Sequence, residues 1–166
     1  MVKRSAGLLV YRQVGSKHDG ELEVLLGHPG GPFWQHKDEG AWTIPKGLLE
    51  GDEDPLSAAR REAAEELGLE ILGDFRWLGE YKQPGGKQVL VWAVSPEVQI
   101  DPTVVVSNGF DMEWPPRSGR KQTFPEIDRA GWFSLSDARH KILKGQAPML
   151  DDLQKIVRAQ DPPTGP

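Results

Sequence analysis

The stretch that most constrains this chain runs from Gly47 to Leu69, GLLEGDEDPLSAARREAAEELGL, where a helix with both ends marked carries carboxylates and glycines at fixed offsets. Asp54 is a good N-cap, and Pro55 at the first helical position gives up only an N–H that would lack a partner anyway. Gly68 ends the helix. Leu56, Ala59, Ala63 and Leu67 recur at helical spacing and form a small apolar stripe that can pack on a sheet. The other face is acidic: Glu62, Glu65 and Glu66 stand at i, i+3 and i+4, so their side chains emerge as neighbours within about one turn. Such a cluster raises some of its own pKa values and weakens the helix unless a cation neutralises it. Hard oxygen ligands without His or Cys suit Mg²⁺ or Mn²⁺, which keep several waters and are completed by substrate phosphates. Gly47 and Gly51 let the backbone bend close to whatever the helix holds, and Glu53 sits where it can pair with Arg61.

Taken alone, RREAAEELG also suits a solvated helix on which Arg61 and Glu65 form an ordinary i, i+4 pair. The full spacing argues for more. Gly, five residues, Glu, seven residues, Arg-Glu, aliphatic, any, Glu-Glu, any, Gly, aliphatic fixes seven identities, a chance match on the order of 1 in 10⁸ at a given position. Gly47, Glu53, Arg61, Glu62, Ala63, Glu65, Glu66, Gly68 and Leu69 fill that pattern. It resembles the signature of the Nudix hydrolases. The preceding Trp42-Thr43-Ile44-Pro45-Lys46, read with Gly47 as W-x-x-P-K-G, is similar to the nucleotide-directed branches of that family, asymmetric diadenosine tetraphosphate hydrolases among them.

The rest of the chain sets the frame. At 166 residues, 37% hydrophobic and 27% charged, it reads as one globular domain over residues 1–160 with a flexible C-terminal tail at 161–166. A net charge of −5 argues against broad nucleic-acid binding, and no helix-turn-helix or basic arm points to sequence-specific binding. The absence of cysteine excludes disulfides and thiolate metal sites. The apolar run Ala6 to Tyr11 is too short for a secretory segment or a membrane span, so cytoplasmic residence is the prior. The four histidines lack metal spacing, and His28 and His36 read as non-ligands. Neither a P-loop nor a G-x-S-x-G elbow is present.

Strands are expected at 4–13 and 21–28, joined by the turn residues of VGSKHDG, with a short strand at 42–44 leading to the helix. Another spans 70–82, turns at Pro84-Gly85-Gly86 and returns as 88–95. Within 96–125, VQIDPTVVVS has strand composition and the remainder reads mostly as loop. A strand at 126–133 is followed by a helix over 134–145, opened by Ser134 with Asp137 three residues on, and by a helix over about 148–159 that packs with it. This order suits an α/β fold, a mixed sheet with helices on its faces. The resemblance implies an α/β/α sandwich whose box is a loop-helix-loop.

The resemblance also implies Mg²⁺-dependent hydrolysis, with Mn²⁺ as a possible substitute, of a diphosphate linkage in a nucleoside diphosphate derivative. Dinucleoside polyphosphates such as diadenosine tetraphosphate, or nucleoside triphosphates, are the candidate substrates, and a small nucleotide is the expected partner. By motif position Glu62 and Glu66 are the principal metal ligands, with Glu65 and the backbone carbonyl of Lys46 in support. The catalytic set is Glu62, Glu53, Arg61 and Glu126: Glu53 and Arg61 hold the loop to the helix, Glu62 is the first choice of general base, and Glu126 is the distal candidate. Lys46, Arg4 and Arg117, with Arg120 and Lys121, are candidates to meet phosphate, each also readable as a surface charge. Trp34 or Trp114 is the candidate to stack on a base, whereas Trp77, Trp92 and Trp132 sit in strand patterns and read as core. Loops 28–41 and 107–125 are expected to shape the pocket. A module that senses a nucleotide without cleaving it is the alternative, but such modules usually lose box carboxylates, and here all are present.

Overall fold

The unbroken apolar run AGLLVY within RSAGLLVYRQV decides the layering. In strand β1 (Arg4–Val14), Ala6, Leu8 and Val10 belong to one buried cluster and Leu9 and Tyr11 to another, so the strand is covered on both faces. The computed structural model describes residues 3–15 and 21–160; the turn anticipated across 16–20 and the tail at 161–166 lie outside the described residues. The first cluster takes in Ala58, Ala59, Ala63 and Leu67 of helix α1 (Pro55–Leu67). The second takes in Leu135 and Ala138 of α2 (Leu135–Lys141) and Met149, Leu150 and Leu153 of α3 (Pro148–Gln160). A helix layer on each side of one sheet is the α/β/α sandwich expected.

The sheet orders β4 (Arg76–Lys82), β5 (Gln88–Val94), β1, β2 (Glu21–Pro29) and β8 (Ile127–Ser134). β1 and β5 run parallel and the other neighbours antiparallel, so the sheet is mixed. One edge of β1 is shared: Ser5–Gly7 pair with β3 (Lys46–Leu48), and Tyr11–Val14 pair with β2. That split admits the 46–54 segment to the sheet and sets Gly47 opposite Ala6, on the strand that packs against α1.

Several expectations need correction. The short strand lies at 46–48 rather than 42–44, because Pro45 has no N–H to give a ladder. Trp42 and Thr43 make only isolated bridges, to Ile142 and Gly27. The strand expected from residue 70 starts at Arg76; before it the chain returns from α1 with Ile71 buried and Gly73 bridged to Pro96. Residues 109–125 are not mostly loop, since β6 (Gly109–Glu113) and β7 (Lys121–Pro125) form a separate hairpin. VQIDPTVVVS holds no strand but a 3₁₀ turn, Pro102–Val104, capped where the Asp101 carboxylate accepts from Thr103 N. The helix expected over 134–145 stops at Lys141, where Ile142 turns extended and buried. Trp77 is not core: it is 50% exposed, edge-on to the half-buried Trp92. Among the described residues no helix is long and apolar enough to cross a membrane.

Candidate active site

The two ends of α1 are closed differently. At its start Asp54 accepts hydrogen bonds from the N–H and the hydroxyl of Ser57, each at 3.0 Å. At its end Gly68 takes a left-handed φ of +72° and donates to the Ala64 carbonyl. Two further carbonyls of the last turn are satisfied from outside the helix: Asn108 N donates to Glu65 O at 2.9 Å and Val106 N to Leu67 O at 3.2 Å. A Cβ on Gly68 would lie 2.2 Å from the Val106 carbonyl oxygen, so the glycine that ends the helix also admits this segment. From there Glu126 N donates to Asn108 O at 2.8 Å, and Ile127 N to Ser107 Oγ at 3.0 Å. Glu126 is thereby tied to the box helix. Nothing in the residues of Val106–Asn108 announced that role; the only clue was a glycine-ended helix with carbonyls needing donors.

At the helix centre the carboxylate of Glu62 lies on the backbone of Gly47, where a Cβ would stand 2.0 Å from Glu62 Cδ. Arg61 grips Glu53 with two bonds, Nε to Oε2 at 2.8 Å and Nη2 to Oε1 at 2.9 Å, and reaches Glu62 Oε1 at 2.9 Å and Glu65 at 3.4 Å. Glu50 N donates to the same Glu53 carboxylate, which closes the loop on the helix. The Arg61 bonds hold the Glu53 carboxyl below its usual range, and the Glu53 and Glu62 carboxylates raise the guanidinium pKa in return.

Glu66 lives under other conditions. It is 8% exposed, and among the described residues its carboxylate accepts one bond, from Lys46 N at 3.2 Å. Burial pushes its pKa up to about 8; the Lys46 charge and that bond oppose the shift, while Glu62 and Glu126 add to it. Burial also raises Glu62, against Arg61, with Glu65 and Glu126 adding. The acidic face is therefore not a solvated one, and only Glu65 of the three is largely open to water.

These residues fit a hard divalent cation, because their charged forms are opposed by burial and by one another, and a cation reverses both terms. Among the described residues no three acidic or imidazole groups already converge as a cage, and one Glu62 oxygen is held by Arg61. An open site completed by water and phosphate oxygens matches that arrangement.

The fold brings Glu53, Arg61, Glu62, Glu65, Glu66, Lys46 and Glu126 together. Arg4 is exposed at the start of β1, on the strand face of Ala6 and Leu8, and its carbonyl accepts from Leu49 N at 3.1 Å. Arg117 lies in the turn of the β6–β7 hairpin with φ +62°. Trp34 is half-buried against the cluster on the α2–α3 side, with Lys37 Nζ 5.1 Å from its ring centroid. Among the described residues neither Arg117 nor Trp34 bonds to the acidic group. The outward ring is its neighbour Phe33, 63% exposed and edge-on to Trp114 at 5.5 Å, so loops 28–41 and 107–125 do meet. His28, fully buried, has ring nitrogens 2.9 Å from Asp128 Oδ1 and 2.6 Å from Lys37 O, joining the 30–41 loop to β8.

Comparison with known proteins places this geometry. The RNA pyrophosphohydrolase of Bartonella henselae is 29% identical over 85 residues, which cover 49% of this chain and 46% of that protein, so the match spans about half of each. A crystal structure titled as a C. elegans Ap4A hydrolase binary complex superposes with a TM-score of 0.63 at 24% identity, covering 95% of this chain and 99% of that one. A mutT/nudix family protein from Listeria innocua reaches 0.62 at 15% identity, covering 96% of each. The NUDIX domain family model matches residues 1–153, nearly the whole sequence and the whole of the box built above, and the chain belongs to that family.

Proposed function

We propose that this protein is a Mg²⁺-dependent hydrolase of the diphosphate linkage in nucleoside diphosphate derivatives, with dinucleoside polyphosphates such as diadenosine tetraphosphate first among its substrates and nucleoside triphosphates second. The observation that carries the reading is the carboxylate of Glu66, 8% exposed, whose ionised form is opposed by burial and by Glu62 and Glu126 and is met in the fold by the Lys46 N–H and charge alone among the described residues. The relative named as an RNA pyrophosphohydrolase supports the reaction class, and the W-x-x-P-K-G lead-in favours the dinucleotide.

Glu62 and Glu66, with Glu65 and the Lys46 carbonyl, would hold the metal ion. When bound, a divalent cation neutralises non-bridging phosphate oxygens and makes a nearby water more acidic. The chain's own residues do the rest. Glu53 and Arg61 fix Glu62 and the 48–53 loop against the helix. Glu62, or failing it Glu126, takes the proton of the attacking water as the new P–O bond forms and the anhydride P–O bond breaks. Burial suits Glu62 to this work by raising its affinity for a proton. Lys46 and Arg4 are the groups to meet phosphate charge, and Arg117, in the hairpin turn, is a further candidate. Trp34, half-buried against the α2–α3 cluster, offers a base less free ring surface than its exposed neighbour Phe33. The reading takes residues 1–160 as one domain acting on free nucleotides in the cytoplasm.

Incubation with Mg²⁺ and a panel of diadenosine polyphosphates, nucleoside triphosphates and nucleotide sugars tests it. ATP plus AMP from diadenosine tetraphosphate is the expected product pair, and pyrophosphate plus a monophosphate marks the triphosphate version. Tight binding with no turnover on any substrate overturns the reading in favour of a sensing module.

A further inference from the structure

The β6–β7 hairpin has one apolar face. Cross-strand pairs share a face, so Phe110 with Phe124 and Met112 with Gln122 lie on one side, and the next pair outward, Trp114 with Arg120, joins them through Trp114 N donating to Arg120 O at 2.9 Å. Asp111, Thr123, Glu113 and Lys121 take the opposite side. The apolar side is laid over the 30–34 loop: a Cβ on Gly31 would stand 3.1 Å from Phe110, and Phe33 meets Trp114 edge-on with planes at 80°. The consequence is unusual for packing alone. The outermost ring, Phe33, stays 63% exposed, and an edge-to-face pair leaves ring surface free for a third planar group. Arg120 stands on the same face, in a chain of net charge −5.

We propose that Phe33 and Trp114 form a stacking site for a nucleobase carried on a phosphate chain, with Arg120 beside the phosphates nearest that base. The inference rests on the functional reading above. Position argues for a nucleotide over a free aromatic compound. Gly30 N donates to the Glu126 carbonyl at 3.0 Å, and Phe33 is three residues further on, within about 10 Å of backbone reach. Glu126 N in turn donates to the Asn108 carbonyl at 2.8 Å, and Asn108 N to the Glu65 carbonyl of the box helix at 2.9 Å, so the loop is tied to the acidic helix. A molecule held at both places must have a planar end, a spacer of this order and an anionic centre, which is the outline of a nucleoside polyphosphate. Stacking is tolerant of base identity, so the site selects for the presence of a base more than for its kind.

The test is made first without divalent cation, by titrating wild type and Phe33→Ala with AMP and with ribose 5-phosphate. Wild type is expected to bind AMP more tightly than ribose 5-phosphate, and Phe33→Ala to weaken AMP by about 10-fold or more while leaving ribose 5-phosphate unchanged. Arg120→Gln is expected to weaken both ligands alike. Equal AMP affinity in wild type and Phe33→Ala overturns the proposal, and Trp114→Leu, checked for folding by circular dichroism, repeats the reading from the other ring. With Mg²⁺ present, a rise in KM of Phe33→Ala on diadenosine tetraphosphate alone assigns the site to the second nucleoside, and a rise on ATP as well assigns it to the base nearest the cut. An unchanged KM on both overturns the site but leaves the hydrolase reading intact. No turnover by wild type removes the hydrolase reading, while the comparison of AMP with ribose 5-phosphate still decides the stacking site.

Discussion

Two parts of one short helix face treat the same kind of side chain in opposite ways. Around Arg61 a single guanidinium serves Glu53 twice and reaches Glu62 and Glu65, so negative charge there is met within the folded chain. Around Glu66, one turn further on, a nearly buried carboxylate has one backbone N–H, the charge of Lys46, and two acidic neighbours. The first arrangement is complete as folded and holds a loop in place. In the second the charged form is opposed by burial and by two acidic neighbours and is only partly met by Lys46, so positive charge arriving from outside would stabilise it.

Glu66→Gln separates the halves most sharply. The amide keeps the shape and can still accept from Lys46 N, so the fold stands, while a carboxylate of the proposed metal site is lost. On the hydrolase reading kcat falls by about 10²–10³-fold, measured by product release from diadenosine tetraphosphate with Mg²⁺. The same variant gains thermal stability at pH 8 without metal, because the buried charge is gone. Activity near wild type, or a lower melting temperature at pH 8, would erase the distinction drawn between the two halves. Glu53→Gln tests the satisfied half: Arg61 loses its two-bond acceptor, and activity is expected to drop about 10–100-fold with metal affinity weakened rather than abolished. Isotherms for Mn²⁺ binding to the two variants would show which half holds the ion.

The pH dependence of the metal-free protein is the next largest effect. Glu66 titrates near 8 when folded, against an ordinary value of 4.5, so between those limits the folded state keeps a proton that the unfolded chain has released. Stability therefore falls as pH rises through this window and levels off above it, and the raised Glu62 adds with the same sign. Glu53, held low by Arg61, acts in the opposite sense only under more acidic conditions. A decrease of several degrees in melting temperature from pH 5.5 to 8, smaller in Glu66→Gln and reversed by millimolar Mg²⁺, is expected by scanning calorimetry. A flat profile would mean that Glu66 is already compensated.

How much of this could be read beforehand depended on how local the cause was. The caps at Asp54 and Gly68, the apolar stripe of α1 and the Glu53–Arg61 pair follow from residues within a few turns of one another, and each was legible. What failed was non-local. Trp34 and Phe33 are adjacent and both aromatic, and only the packing of the 30–34 loop decides that the tryptophan goes in and the phenylalanine out. The hairpin at 109–125 was hidden by its Pro, Gly and Arg content and by the polar KQT that opens its second strand, although FDMEW alternates as a strand does. Burial of Glu66 was likewise invisible, since spacing shows which carboxylates are neighbours but not which of them the β3 backbone covers.

Ser107→Ala gives the smallest and most discriminating change, because it touches the charge-poor half only through Glu126. The Ser107 hydroxyl accepts from Ile127 N at 3.0 Å and donates to the Asn108 carbonyl, the same oxygen that receives Glu126 N. Without it the N–H of Ile127, a residue 6% exposed, loses its partner, and stability should fall by about 1 kcal/mol, read from urea unfolding. If Glu126 contributes to the strain on Glu66, loosening its anchor also lets the two carboxylates separate, and the fall in stability between pH 5.5 and 8 becomes shallower than in wild type. If the slope stays as it was while stability drops, Glu126 is only a neighbour of the acidic group, and of the two proposed general bases Glu62 is the one that remains.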